Sequence, residues 1–361
     1  MPVKVEVKPR SSIDEEKLNT FLEKVIGDFG ASLSSALVYI GLKLGLYKAM
    51  AGAGPLTPFE LAQRTGMVER YIREWLINQA AGGYLEYDAQ TGRYTLPPEQ
   101  AAALTDETSP FYVGGGFYVV KAMTRAESRI AEAFQKGGGM LWGEHDPDLF
   151  VGTERFFRPG YAAHLVSEWI PALTGIEEKL KAGGKVADIG CGHGASTLIM
   201  AKAYPKSRFY GFDNHKPSIR HARKEAAVAG VADRVTFEVA QASGFPGKGY
   251  DLIAFFDCLH DMGDPLGAVK RACETLAEEG TVLIVEPMAG ETVEENLNPI
   301  GRTFSAASTL CCTANSLALD GPGLGAIASE KEIGDIMTAG GFTHFRRAAE
   351  TPFNRIFEAR R

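Results

Sequence analysis

Residues 185–196 read KVADIGCGHGAS and decide the fold of the second half of the chain. A short apolar run leads into glycines at alternate positions, Gly190, Gly192 and Gly194, and a helix-forming stretch follows. Glycine lets a backbone turn tightly and approach a ligand closely. A strand, a glycine-rich turn and a helix in this order are typical of the ligand-binding edge of an open α/β sheet.

The residues that follow this turn alternate between strand-like and helix-like segments. The predicted strands are Lys185–Ile189, Arg208–Phe212, Val235–Val239, Leu252–Phe256 and Thr281–Val285, with a closing pair at Phe342–Ala348 and Arg355–Ala359. The predicted helices are Ala195–Ala203, Pro217–Ala229, Pro265–Leu276 and Glu330–Ala339. Such alternation predicts an α/β fold with a doubly wound, mostly parallel, Rossmann-like sheet over residues 181–361.

The first 105 residues predict an α-rich winged-helix domain instead. Helices are expected over Pro58–Arg64 and Glu69–Ala81, and short strands over Tyr84–Tyr87 and Arg93–Leu96. Before them, residues 1–10 are expected to be a loose tail, and Ile13–Phe29 and Leu33–Met50 to be helices. Residues 106–180 are rich in aromatic side chains and predict a helical linker that contributes to an acceptor pocket.

The apolar residues between Leu18 and Phe29 recur at helical spacing. An exposed stripe of this kind is a liability in a monomer, so it predicts a homodimer.

Composition and charge restrict the functional classes. The formal net charge of −7 gives no general attraction to nucleic acid or to anionic lipid. The five cysteines are an odd number without CxxC spacing, which predicts reduced thiols, no disulfide framework and no metal site. No apolar run is expected to reach membrane-spanning length, and no secretion signal is expected. We therefore expect a soluble, cytoplasmic protein that does not contact a membrane.

A winged helix raises the alternative of a DNA-binding regulator. The stretch from Glu60 to Ala80 holds Arg64, Arg70 and Arg73 against three glutamates, so its local charge sums to zero. Because phosphate neutralisation supplies most nonspecific affinity, a structural or dimerisation role is favoured and nucleic-acid binding is disfavoured.

Two acidic residues flank the glycine turn in the sequence. Asp213 ends the next predicted strand, 23 positions after Gly190, where a carboxylate can hold the ribose hydroxyls of a nucleoside. Asp188 precedes the glycines at the strand end, where it would repel a pyrophosphate and attract a cationic group. A dinucleotide such as NAD is therefore the weaker alternative, and a nucleoside with a cationic substituent is favoured.

With these motifs, residues 185–241 resemble the cofactor-binding half of class I S-adenosylmethionine-dependent methyltransferases. The whole chain resembles the bacterial branch with an N-terminal winged helix, which includes small-molecule O-methyltransferases. The resemblance implies that S-adenosyl-L-methionine is the cofactor and that its contacts come from Asp188, Gly190, Cys191, Gly192, Gly194, Asp213, Asn214, His215, Gln241, Ala242 and Asp257. Related proteins often have an acidic residue at the position of Gln241, which would here meet the adenine through its amide.

The resemblance also implies catalytic residues after the fourth strand, in the segment 255–265. His260 and Asp261 resemble the His-Asp pair of the O-methyltransferases, in which the histidine is the general base and a carboxylate orients it. The alternative is that His260 only packs under the following helix. The expected acceptor is a small organic molecule; O-methylation is preferred, and N- and C-methylation remain open.

Overall fold

The computed structural model describes residues 13–361, and these form two compact units, of which the first ends at Thr105 and the second is Asp106–Arg361. The tail predicted at residues 1–10 lies outside the described part of the chain.

The first unit begins with a long helix, α1 (Glu15–Lys43), followed by the short α2 (Leu46–Met50). Asp14 caps α1 by accepting hydrogen bonds from the backbone N–H groups of Glu16 and Lys17. The sequence predicted a break between two helices near Gly30, and this prediction is wrong. A glycine inside a helix costs only about 1 kcal/mol, which does not end a helix with strong flanking turns.

Because the two apolar segments are joined, α1 is long and apolar enough to cross a membrane by length and composition. Its most apolar 18-residue window has a mean hydropathy of 1.5, and little of that window is buried. The expectation that no segment reaches such a length is therefore wrong for this helix.

The rest of the first unit has the expected winged-helix order. It comprises α3 (Pro58–Thr65), α4 (Glu69–Ala81), β1 (Glu86–Asp88), β2 (Arg93–Thr95) and α5 (Pro98–Leu104). Thr57 and Glu60 form a reciprocal capping box at the start of α3, in which each side chain accepts from the other's backbone N–H. The predicted winged-helix domain is confirmed; each wing strand is one residue shorter than expected, and β1 begins two residues later.

Helices open the second unit. They are α6 (Gly115–Thr124), α7 (Glu127–Lys136), α8 (Asp148–His164), α9 (Ile170–Ala172) and α10 (Ile176–Ala182), with a π-helical turn at Leu165–Trp169. Helices α6 and α8 cross at Gly115, where an added Cβ would lie 2.4 Å from the backbone nitrogen of Phe156. Only glycine allows the two backbones to approach so closely.

A seven-stranded sheet forms the core of this unit. Its strands are β3 (Lys185–Ile189), β4 (Arg208–Asp213), β5 (Val235–Val239), β6 (Tyr250–Phe256), β7 (Leu276–Pro287), β8 (His344–Glu350) and β9 (Asn354–Arg360). Their order is β5-β4-β3-β6-β7-β9-β8; the first five are parallel and β9 is antiparallel to both neighbours. The predicted doubly wound, mostly parallel Rossmann-like sheet is confirmed. The order reverses between β3 and β6, which is where such sheets bind ligands.

Helices cover both faces of the sheet: α11 (Ala195–Ala203), α12 (Lys216–Val228), α13 (Pro265–Thr275) and α16 (Glu330–Ala339). The long connection before α16 contains α14 (Pro299–Ala307), a π-helical turn at Ser308–Cys312 and α15 (Thr313–Ala318). This insertion brings Asn315 to the carboxyl edge of the sheet, where its amide donates to the backbone oxygen of Asp261 over 2.9 Å.

Candidate functional site

A cavity of about 470 Å³ opens at the carboxyl ends of β3, β4, β5 and β6. Its walls come from five regions of the second unit: the turn at Trp142, the helix α8, the glycine turn 190–196, the loops that follow β4, β5 and β6, and α15 with the residue after it. The volume lies in the range of small-molecule sites, roughly 300–1,000 Å³.

The glycine turn is held open by its backbone conformation. Gly190, Gly192 and Gly194 have φ angles of 72°, 53° and 83°, in the left-handed region that only glycine adopts without strain. A Cβ on Gly190 would lie 2.8 Å from the Cys258 sulfur, whereas a Cβ on Gly192 would meet nothing within 4 Å. Gly190, Cys191 and Gly192 line the cavity, so a ligand can contact the turn directly. Gly194 lies behind it, against Phe237.

Asp213 stands at the end of β4 and lines the cavity. Its Oδ2 accepts from the backbone N–H of Gly192 at 2.9 Å, and its Oδ1 accepts from that of His215 at 2.7 Å. Burial raises the pKa of Asp213, and the two backbone donors oppose this effect. An ionised carboxylate has about four acceptor positions, so two stay available to hydroxyl groups of a ligand.

Asp188 is placed differently from the expectation. It is fully buried, and its Oδ2 accepts from the hydroxyls of Ser196 and Thr197 at 2.6 and 2.5 Å. Burial raises its pKa to about 6, against the effect of these hydroxyls. Asp188 does not line the cavity but fixes the first turn of α11 to β3. Its Oδ1 has no hydrogen-bond partner among the described residues.

Three further predicted residues line the cavity and one does not. Asn214, Gln241 and Ala242 are part of the wall. His215 lies behind it, where its ring packs on Phe150 with the ring centres 4.4 Å apart and its Nδ1 is 2.8 Å from the Ser218 hydroxyl.

Asp257 lies at the end of β6 with a φ of 49°, which is rare for a residue with a side chain and typical of functional sites. Tyr161 donates to its Oδ2 at 2.7 Å, and the Asn354 amide donates to its Oδ1 at 2.8 Å. Burial raises the pKa of Asp257 to about 7, although both donors oppose the shift. Asp257 thus lines the cavity and connects α8 to β9 through these two hydrogen bonds.

His260 does not line the cavity; only 3% of the residue is exposed. Its Nδ1 lies 2.5 Å from Oε2 of the buried Glu286, at the end of β7. Burial alone would lower the pKa of His260, yet the Glu286 carboxylate and the neighbouring Cys312 thiol raise it well above its ordinary value. In this conformation the Glu286 carboxylate favours the protonated form of the imidazole, which has no lone pair free to accept a proton. The residue expected to be the general base is thus buried away from the cavity, where a buried carboxylate is its partner.

Asp261, the next residue, does line the cavity. Within residues 13–361 its carboxylate receives no hydrogen bond. Burial raises its pKa to about 7, whereas the charge of His260 lowers it. A carboxylate with such a pKa can exchange a proton at neutral pH.

The aromatic segment 106–180 was expected to contribute to an acceptor pocket, and four of its aromatic residues line the cavity: Trp142, Phe150, Phe157 and Tyr161. Glu154, which also lines it, was not predicted. No local motif marks them, because they reach the cavity only through the packing of α8 and of the preceding turn at Trp142.

Two family models match separate parts of the chain. Residues 180–341 match a methyltransferase domain, and residues 32–106 match an Rv2258c-like winged HTH domain. Among curated proteins, the 27-O-demethylrifamycin SV methyltransferase of Amycolatopsis mediterranei is 29% identical over 36% of this chain and 51% of its own length. The chloroplastic tocopherol O-methyltransferase of Arabidopsis thaliana is 28% identical over 47% and 53%. The chain spans about half the length of these curated relatives.

Solved structures match over nearly the whole chain. A putative O-methyltransferase from Nostoc punctiforme has a TM-score of 0.74 at 21% identity, covering 94% of this chain and 98% of its own. The mitomycin 7-O-methyltransferase MmcR has a TM-score of 0.73 at 17% identity, covering 96% and 100%. At these identities the likeness shows a shared fold.

Proposed function

We propose that this chain transfers a methyl group from S-adenosylmethionine to an oxygen atom of a small organic molecule. Its class I methyltransferase domain follows the winged-helix domain in the sequence. The observation that carries the proposal is the hydrogen bond between the Gly192 N–H and the Asp213 carboxylate. It holds the glycine turn and this carboxylate side by side in the cavity wall, where the strand order of the sheet reverses.

The residues of the cavity fit this cofactor. Asp213 would hold the ribose hydroxyls with its remaining acceptor positions, and Gln241 and Ala242 would border the adenine. The buried Oδ1 of Asp188 has no partner among the described residues, and an orphaned carboxylate oxygen is costly. From beneath the cavity wall, the negative charge of Asp188 would favour the cationic amino group of the cofactor without touching it. When bound, S-adenosylmethionine supplies an electrophilic methyl group.

Asp261 is proposed as the group that takes the proton from an acceptor hydroxyl. It lines the cavity, receives no hydrogen bond within residues 13–361, and has a pKa raised to about 7 by burial. His260 and Glu286 form an ion pair directly behind it. In this arrangement His260 is a positioning residue: its charge keeps the pKa of Asp261 from rising further. The alternative, in which His260 is itself the base, requires its side chain to move into the cavity.

The acceptor is proposed to be small and partly aromatic. The cavity wall supplied by α8 presents Phe150, Phe157 and Tyr161, and Trp142 lies beside Phe150 with ring centres 5.5 Å apart. Aromatic side chains bind flat apolar ligands by stacking. A hydroxylated aromatic acceptor fits both these walls and a nearby carboxylate base. The O-methyltransferase names of the relatives agree with this class.

The decisive experiment offers the purified protein S-adenosylmethionine and a panel of hydroxylated aromatics and acids, and measures S-adenosylhomocysteine by mass spectrometry. We expect product with at least one phenol. If Asp261 is the base, Asp261→Asn lowers kcat by roughly 10²- to 10⁴-fold while cofactor affinity stays near that of the wild type. A larger loss of kcat in His260→Asn than in Asp261→Asn would assign the base to His260 instead. Absence of any cofactor binding by the wild type would overturn the function.

The assembly proposed for this enzyme is a homodimer in the cytoplasm. Six apolar side chains on α1 are more than 40% exposed, which a stable monomer avoids: Leu18, Phe21, Leu22, Ile26, Phe29 and Leu33. Pairing with a second copy would cover them, and insertion into a membrane is the competing outcome. The alternative is a DNA-binding regulator that uses S-adenosylmethionine only as an effector. It gains nothing from α4, since Arg70 pairs with Glu74 and Arg73 with Glu69.

A further inference from the structure

Three side chains from separate elements meet beside the glycine turn. Glu154 comes from α8, His193 from the turn itself and His221 from α12. The Oε2 atom of Glu154 lies 2.9 Å from Nδ1 of His193 and 3.7 Å from Nε2 of His221. One carboxylate oxygen therefore faces two imidazole nitrogens at once.

The spacing of these atoms matches the coordination sphere of a metal ion. The three ligand atoms all lie within 4.8 Å of one another. Bonds of about 2.0–2.1 Å at tetrahedral angles place ligand atoms roughly 3.3 Å apart around zinc. The two distances from Glu154, 2.9 and 3.7 Å, bracket that value, and the two imidazole nitrogens lie within 4.8 Å of each other. Side-chain rotations could therefore bring the three atoms onto one ion.

The surroundings of the cluster orient the carboxylate. Arg158 donates to the other oxygen of Glu154, Oε1, at 3.3 Å, which leaves Oε2 directed at the histidines. Outer partners of this kind are typical around metal-binding carboxylates. Glu225 lies 4.0 Å from Nε2 of His221 and adds a second negative charge beside the cluster. The rings of His193 and His221 are stacked, with centres 4.0 Å apart.

We propose that Glu154, His193 and His221 form a binding site for one divalent transition-metal ion of the zinc class. Two imidazoles and one carboxylate are a donor set that such ions accept readily. Glu154 and His193 also line the cavity, so a fourth coordination position is open to it for water or for a ligand carboxylate. The ion would connect α8, the glycine turn and α12, and would stiffen the wall on that side.

The test uses the full-length protein after treatment with a chelator. Titration with Co²⁺ is expected to give the visible absorption of a four-coordinate site, saturating at one equivalent and abolished by competing Zn²⁺. Zn²⁺ should also raise the Tm of the wild type. His221→Asn removes a ligand outside the cavity lining and should abolish the absorption and the Tm shift. His193→Asn should do the same, with circular dichroism to verify its folding.

The matched control is His164→Asn. His164 also faces a carboxylate, with Nδ1 3.0 Å from Oε2 of Glu168, but no second histidine within residues 13–361 pairs with that oxygen. This variant should bind Co²⁺ and Zn²⁺ as the wild type does. Wild-type protein that binds neither ion at micromolar concentration, or a His221→Asn variant that binds as the wild type does, would overturn the proposal. Calorimetry with S-adenosylhomocysteine, run without metal, reports separately on the proposed function.

Discussion

Removing the carboxylate of Asp213 should weaken cofactor binding while the protein still folds. In the proposed complex this side chain accepts one hydrogen bond from each ribose hydroxyl while it keeps its bonds to the backbone of Gly192 and His215. A hydrogen bond to a charged group contributes about 1.5–3 kcal/mol, so two contribute roughly 3–6 kcal/mol. Each tenfold change in Kd corresponds to about 1.4 kcal/mol, so Asp213→Ala should weaken the binding of S-adenosylmethionine and S-adenosylhomocysteine by roughly 10²- to 10⁴-fold.

Isothermal calorimetry with S-adenosylhomocysteine measures this change directly. Asp213→Asn keeps the shape and part of the acceptor capacity, so its loss should be smaller than that of Asp213→Ala. Asp233→Asn is the control, because Asp233 is largely exposed and, in the described part of the chain, pairs only with the adjacent Arg234. A Kd for Asp213→Ala that matches the wild type, in a protein with an unchanged circular dichroism spectrum, would refute the assignment of the ribose site.

Three other predictions concern stability and assembly. Burial raises the pKa of Asp261 from 3.8 to about 7, so the folded protein binds this proton more tightly than the unfolded chain and loses stability as pH rises through that interval. Asp261→Asn has no such proton to lose, so urea unfolding should show its stability relative to the wild type increasing from pH 5 to pH 8. An equal stability difference at both pH values would contradict this prediction. Gly115→Ala should lower the free energy of unfolding by about 1–3 kcal/mol, since its Cβ would meet the backbone of α8. Gly116→Ala should be tolerated, because its Cβ would lie 3.4 Å from the Phe156 ring. Light scattering should show a dimer for the full chain and a monomer for a chain that begins at Gly30; a full-length monomer at micromolar concentration would rule out the dimer.

The sequence predicts most of the fold because its signals are local. The strands β3 and β5 and the helices α4, α11 and α16 begin and end where apolar periodicity and turn residues place them. Errors occur where a residue that disfavours helix is nevertheless accommodated within one, as at Gly30, through which α1 continues. Pairing on the sheet also lengthens β7 beyond its apolar run, from Leu276 to Pro287.

The candidate site is predictable only on one side. The glycine turn and Asp213 follow from strand ends, which a sequence pattern can locate. The orientation of each side chain does not follow from the pattern: Asp188 and His260 turn into the protein because buried hydroxyls and a buried carboxylate bind them there. Glu154 and His221 carry no sequence signal at all, since their meeting depends on how α8 and α12 pack.

The two sides of the cavity also differ in the chain distance that their contacts span. The bond between Gly192 and Asp213 joins residues 21 positions apart, whereas the bond from Asn354 to Asp257 spans 97 positions and that from Trp142 to Asn315 spans 173. Closing long loops costs more entropy and slows folding. The nucleoside side should thus become ordered early during folding, and the opposite wall late. In mild denaturant the late wall should open first, so hydrogen exchange at Trp142 should report a lower opening free energy than exchange at Gly192.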